Sequence, residues 1–335
     1  MSRTSRRGSP LPAVLSALAG LFALLCLASL ALGAGEVSPV QALSVLAGGG
    51  GDEARFVVEV LRLPRTALGV LVGLALGISG VVLQVATRNP LVEPGLMGVN
   101  AGAAFAVVLT LYLGGAAGIV PWIAVLGAFA GCMLVLVTTR LGQVADDPVR
   151  LVLAGVVFSG IINSASTLIL LADQRSADEI RFWIVGALGG RPIETLYWAV
   201  PGIAAGVLAL LPCVRALSAL MLGEGVARGL GHRPERIQAA ALAAVSVLVG
   251  VATAAAGPLV FVGLVVPFVA RRLVGPSLPR CLAVAAVAGP CLVLAADIFS
   301  RLLIKPYELP VGVVIAFIGA PVLVAIVRTE RLPRF

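Results

Sequence analysis

Side chains that carry most enzyme chemistry are scarce in this chain, which has one lysine, Lys305, and one histidine, His232. Lys305 sits in Leu303-Ile304-Lys305-Pro306-Tyr307, so no phosphate-cradling G-x-x-x-x-G-K-[ST] loop forms around it. A single histidine excludes both H-E-x-x-H and a Cys/His zinc cluster. The cysteines (Cys26, Cys132, Cys213, Cys281 and Cys291) lie far apart in apolar runs with no C-x-x-C. That is the pattern of small core residues, not of disulfides or metal ligands. Ser, Asp and His never cluster: His232 falls in an Arg- and Gly-rich connection and Asp297 near the end of an apolar run. We therefore expect no metal site and no catalytic set.

The elements that position the remaining polar groups follow from composition. Of 335 residues, 60% are apolar and 12% charged, and mean hydropathy is +1.09. Ten membrane spans of about 20 residues need roughly 200 apolar-dominated positions, which this chain supplies. A soluble enzyme, a disordered chain and a single-pass receptor are excluded. Apolar runs fall at about 11–33, 64–86, 95–114, 119–139, 150–172, 194–213, 237–256, 257–271, 281–299 and 310–328. The first follows Arg3, Arg6 and Arg7 and is longer than a signal-peptide core, so it reads as a retained span.

Gly257-Pro258 is the ambiguous boundary, because 237–271 reads either as one overlong helix or as two spans. Charge decides. With ten spans and the N-terminus inside, sixteen of the 24 basic residues face the cytoplasm; merging the two runs gives twelve on each side. Only ten spans yield the positive-inside bias, which also accounts for the net charge of +8. The expected fold is thus all-α, a single transmembrane domain over 1–335 with ten transmembrane helices and both termini cytoplasmic. Longer connections at about 34–63 and 173–193 lie outside, and 214–236 lies inside. A short repeat supports internal symmetry: Pro90-Leu91-Val92 with Gly95-Leu96 recurs as Pro258-Leu259-Val260 with Gly263-Leu264, at an offset of 168 residues. The copies fall on opposite faces, as an inverted repeat requires.

Ion-driven transporters place ionisable groups within their spans, and here the span interiors are nearly free of charge. Asp297 precedes Arg301 by four residues, an i,i+4 pair. Gln84, Asn100, Asn163, Ser79, Ser164, Ser166 and Thr167 remain as helix-helix contacts or as lining of a polar path. Gly69, Gly73, Gly77 and Gly80 make one face of the second run bare enough for close packing. A transporter of this kind takes its energy from a partner.

Three segments carry more than composition. Arg62-Leu63-Pro64-Arg65 opens the glycine-rich run, which leads through Gln84 to Arg88-Asn89-Pro90-Leu91-Val92-Glu93-Pro94-Gly95-Leu96-Met97-Gly98-Val99-Asn100-Ala101-Gly102-Ala103. Leu222-Gly223-Glu224, Ala227 and Leu230-Gly231 mark the inner connection. Ala256-Gly257-Pro258, Phe261-Val262-Gly263-Leu264-Val265-Val266-Pro267, Asp297, Arg301, Glu308-Leu309-Pro310-Val311-Gly312 and Gly319-Ala320-Pro321 complete the set. From about residue 55 to 328 the chain resembles the FecCD family of ABC-importer permeases, which carry iron-siderophores, haem or cobalamin across the cytoplasmic membrane. It departs from the family pattern at Phe268, where His is usual.

The resemblance implies a multi-pass subunit of the inner membrane, paired with a second permease in a homo- or heterodimer. It also implies ABC ATPase subunits below, which hold ATP and magnesium, and an extracytoplasmic substrate-binding protein above. The cargo is a metal chelate, most simply a ferric siderophore, with haem or cobalamin as the alternative. Arg62, Arg65 and Arg301 would dock the binding protein; interfacial anchoring to lipid phosphate is the competing reading. Residues 214–236, through Leu222, Gly223, Glu224, Ala227, Leu230 and Gly231, would couple to the ATPase. Gln84, Asn89, Asn100 and Asn163 are candidates for the path. No cofactor is expected in this chain and no enzyme activity of its own. The rivals are an ion-coupled secondary transporter, a membrane-embedded enzyme and a structural scaffold.

Overall fold

The computed structural model describes residues 11–141, 148–174, 177, 180, 183–305 and 307–328, and among these every regular element is helical. The terminal arginines used in the charge argument (Arg3, Arg6, Arg7, Arg331 and Arg334) lie outside the described residues, as do Asp178 and Glu179. In chain order the helices are α1 (Leu11–Ala31), α2 (Pro39–Leu46), α3 (Asp52–Phe56) and α4 (Leu63–Ala86), then α5 (Val99–Tyr112), α6 (Val120–Leu141) and α7 (Pro148–Ala172). There follow α8 (Glu194–Leu210), α9 (Cys213–Leu220), α10 (Glu224–Gly229), α11 (Pro234–Ala256), α12 (Val262–Val274), α13 (Leu278–Leu302) and α14 (Val311–Arg328).

Among the described residues six helices are long and apolar enough to cross a membrane, and a seventh arises if α8 and α9, bent by 52°, form one span. Such a set makes this a membrane protein. α1 is apolar on all sides and mostly unburied, as a helix facing lipid must be. The deepest packing is between α4 and α13. A Cβ at Gly73 would lie 2.6 Å from the carbonyl oxygen of Gly289, and one at Gly77 would lie 2.8 Å from that of Ala285. The glycine stripe thus lets two backbones touch where side chains would hold them apart.

α5 and α12 have 14 and 13 residues, about 20 Å each, shorter than the roughly 30 Å hydrocarbon layer, so helix alone does not complete a crossing at either place. Each follows a Pro-containing stretch that leaves the helical ladder, 87–93 before α5 and 257–261 before α12. The sequence placed a boundary between two spans at Gly257-Pro258; the helix ends there and the chain runs on, without helix, to Phe261. Two Pro-led repeats meet here. Phe261, at φ 67°, donates its backbone N–H to the Glu93 carboxylate, and the two residues are 168 apart, the offset of the repeat. Glu93, in the connection between α4 and α5, is buried.

Candidate functional site

One cluster gathers at the start of α4 and the end of α13. Helix α4 is reached through a π-helical turn, Val57–Arg62, a form often seen where side-chain placement matters. Before it, α2 begins with a capping box in which the Gln41 N–H donates to Ser38 Oγ at 3.3 Å and the Ser38 N–H to Gln41 Oε1 at 2.9 Å. Ala42, Val45, Ala54 and Val58 pack α2 and α3 into a small apolar cap over this end. Val37, packed against this cap, offers one of the carbonyls that Arg62 faces.

Asp297 is the hub of the cluster. Arg65 reaches its Oδ1 through Nη2 at 2.8 Å and Nε at 2.9 Å, and Arg301 reaches Oδ2 through Nη2 at 2.7 Å. Arg65 Nη1 also contacts Glu308 Oε2 at 2.6 Å. Arg301 donates further to the carbonyls of Ser29 at 2.9 Å and Leu32 at 3.0 Å, and to Ser29 Oγ at 2.7 Å. Ser29 Oγ meets Thr66 Oγ1 at 2.7 Å, and Thr66 Oγ1 donates to the Arg62 carbonyl at 2.8 Å. Arg62 Nη1 donates to Leu30 and Ala31, both at 2.9 Å. Helices α1, α4 and α13 are tied together at this end by charge.

This geometry changes the docking expectation. Arg62 and Arg301 are 5% and 2% exposed, and their donors are turned onto carbonyls and Asp297 within the fold. Arg62, Arg65 and Arg301 all border the cavity at this end; Arg65 has its donors on Asp297 and Glu308. Ser29, Thr66 and Glu308 were not singled out from the sequence for this end; Glu308 lay in a quoted motif, whereas Ser29 and Thr66 carried no signal.

At the opposite end, α9 and α10 form two short helices joined at Gly223, whose φ of 114° only glycine adopts comfortably. Helix α10 ends in a Schellman-type turn: Gly231 has φ 81° and the His232 N–H donates to the Ala227 carbonyl at 3.0 Å. Leu217, Leu220 and Ala227 are buried. Leu222 and Leu230 are 70% and 62% exposed, and Val226 between them is also exposed. Arg88, at the end of α4, joins this element to the helices by donating to the Leu220 carbonyl at 3.3 Å and standing 3.7 Å from Glu224. Arg228 contacts Glu224 at 3.4 Å and Glu235 at 3.1 Å. Apolar side chains project outward from a seat held by Arg88.

The path candidates separate. Gln84 is fully buried, accepting from Arg271 at 2.5 Å and donating to the Val92 and Gly263 carbonyls at 3.4 Å. Asn89 accepts from the Leu91 N–H at 3.0 Å, a local turn bond, and Asn100 accepts from Thr253 at 3.0 Å, linking α5 to α11. Gln84 and Asn100 each link one helix to another, whereas the Asn89 bond stays within its own turn. Asn163 is different: it stands exposed on α7 beside exposed Ser164 and Thr167. Phe268, where the family pattern has His, lies under the Arg272 guanidinium at 4.9 Å, a cation-π contact.

The model of the FecCD transport family matches residues 21–329. The ferric enterobactin transport system permease protein FepD of Escherichia coli (strain K12) is 42% identical over 320 residues, covering 94% of this chain and 95% of that protein. The Fe(3+)-citrate import system permease protein YfmD of Bacillus subtilis (strain 168) is 33% identical over 308 residues, with 90% of each chain covered. A solved structure described as an inward-facing metal-chelate type ABC transporter aligns with a TM-score of 0.82 at 27% identity, covering 95% of this chain and 99% of that one. A helical membrane fold with these relatives along nearly its whole length leaves one conclusion: the chain belongs to the FecCD transport family.

Proposed function

We propose that this chain is the permease subunit of an ABC importer in the cytoplasmic (inner) membrane. Its cargo is a metal chelate, most simply a ferric siderophore, moved inward by ATP-driven alternating access. The chain spans the membrane ten times with both termini in the cytoplasm. ATP and magnesium are held by separate ATPase subunits, a second permease completes the path, and a substrate-binding protein delivers the cargo. The relatives' names support the cargo class, being permeases for ferric enterobactin and ferric citrate.

The observation that carries the mechanism is the α9–α10 element. Leu222, Val226 and Leu230 point away from the fold, a surface that water disfavours unless a partner covers it. Glu224 and Arg88 connect that surface to the end of α4, whose other end reaches the Asp297 cluster. Movement of an ATPase against Leu222 and Leu230 therefore passes to the opposite membrane face along one rigid helix. The exposed polar stripe Asn163, Ser164 and Thr167 is the part of α7 suited to line a path shared with a second permease.

The test is ATP hydrolysis and uptake by the reconstituted complex. Leu230→Asp should leave assembly intact and uncouple hydrolysis from uptake. Uptake that persists with a hydrolysis-dead ATPase, or flux through this chain alone that collapses with an ion gradient, overturns the reading.

A further inference from the structure

All three tryptophans and all three tyrosines of the chain gather at the end of the fold that holds the Asp297 cluster. Tyr307 adjoins Glu308, the partner of Arg65. Tyr197 and Trp198 lie in the opening turns of α8, whose first residue, Glu194, borders the same cavity as Arg65. Trp122, in the first turn of α6, meets Trp198 with ring centroids 6.2 Å apart, and Tyr112 closes α5 before the short link to α6. Trp183 donates its indole N–H to the Ala254 carbonyl near the end of α11, where the Ala256 carbonyl receives the N–H of Ala187, a residue of that cavity's wall. The opposite end, built on α9 and α10, has none of these rings and carries arginines such as Arg215 and Arg228.

Trp183 is buried, but Trp122 and Tyr197 are 57% and 71% exposed, and each heads an apolar stripe. Below Trp122 the exposed side chains of α6 include Leu126, Phe129 and Val137, and below Tyr197 those of α8 include Val200 and Leu208. No charged residue occurs from Val120 to Thr138 or from Thr195 to Leu211. Trp122 to Val137 covers about 22 Å of helix, most of a hydrocarbon layer roughly 30 Å thick. The glycines that would let a further helix approach closely are turned inward on both elements. A Cβ at Gly127 would stand 2.5 Å from the Gly102 carbonyl oxygen of α5, and one at Gly206 would stand 2.6 Å from Leu248 of α11. The close-packing faces are thus used within the fold, and the outward faces are left to acyl chains.

We propose that Trp122, Tyr197 and Trp198 form a lipid-anchoring surface, with their rings in the headgroup and glycerol layer of the bilayer at the Asp297 end and acyl chains along α6 and α8 beneath them. Indole and phenol rings settle in that layer because the ring is too apolar for water while its N–H or O–H is too polar for hydrocarbon. The Trp122–Trp198 contact holds α6 and α8 at one depth, so the pair sets how far this flank sinks into the membrane. A second permease then docks on another face, in keeping with the polar stripe of α7. The inference needs only that the chain resides in a membrane and stands apart from the importer reading.

The test reads tryptophan fluorescence in phosphatidylcholine nanodiscs whose acyl chains carry bromine, a contact quencher, either close to the ester or close to the terminal methyl. Assembled complexes carrying wild type and W122F/W198F are compared, and their difference isolates the pair from Trp183 and from the tryptophans of other subunits. Quenching of that difference signal should be about twofold or more stronger with bromine close to the ester, as expected of rings about 15 Å from the bilayer centre. A signal that neither lipid quenches overturns the proposal, because protein then covers the pair, a second copy of this chain included. Stronger quenching by bromine close to the methyl overturns it as well, since the rings then sit within the hydrocarbon. If no complex forms, which counts against the importer reading alone, the full chain as W183F in the same nanodiscs gives the same comparison.

Discussion

The two ends of α4 handle charge in opposite ways. At its start, Arg62, Arg65, Asp297 and Arg301 are withdrawn from water and satisfied by one another and by backbone carbonyls. At its end, Glu224, Arg228 and Glu235 pair in solvent while Leu222 and Leu230 are left uncovered. Burial makes the first cluster expensive to disturb, since removing one partner strands another charge. Exposure makes the second cheap to rearrange. One end is therefore suited to holding helices together and the other to receiving a partner.

The largest effect should come from Asp297→Ala, which leaves two enclosed guanidinium groups without their shared counter-ion. Breaking a buried pair costs about 3–5 kcal/mol, so thermal unfolding of the purified protein in detergent should show a large loss of stability. A variant as stable as wild type would mean the cluster is open to water, and the contrast between the two ends would fail. Gly73→Val should come next, because its side chain meets the Gly289-Pro290 backbone and must part α4 from α13. Overpacking of this kind costs about 1–3 kcal/mol, measurable in the same assay.

Leu230→Asp sharpens the comparison from the other end. It should leave unfolding nearly unchanged while lowering coupled uptake about tenfold or more, the effect expected of an interface anchor. A fall in stability with coupling intact would make the α9–α10 element a structural brace. Smallest of all is Arg228→Ala: exposed ion pairs contribute about 0–1 kcal/mol, so its unfolding midpoint should stay close to that of wild type.

Much of this was legible in the residues. The apolar runs announced helices, the glycines at 69, 73, 77 and 80 announced a close contact, and the spacing of Asp297 and Arg301 announced a pair on one helix face. The candidate site was less so. Arg62 and Arg301 were expected to dock a binding protein because the resemblance implies it, with anchoring to lipid phosphate as the competing reading; nothing local revealed the carbonyls of Leu30, Ala31 and Leu32 that they meet. Gln84 and Asn100 were read either as helix-helix contacts or as polar lining, because an amide in an apolar run has no partner visible in sequence. Glu93 was counted with a connection, although the chain folds it against Phe261.

The sequence alone determined what depends on near neighbours: helix class, membrane residence, the glycine-lined face and the family motifs. Periodicity and hydropathy act over one or two turns, so they can be read without knowing what lies across the fold. The tertiary structure decided which polar groups are enclosed and which remain free, because those partners are far apart in the chain. Arg65 and Asp297 are separated by 232 residues, Gln84 and Arg271 by 187, and Glu93 and Phe261 by 168. A buried polar group takes its role from whatever partner the packing brings within hydrogen-bond reach.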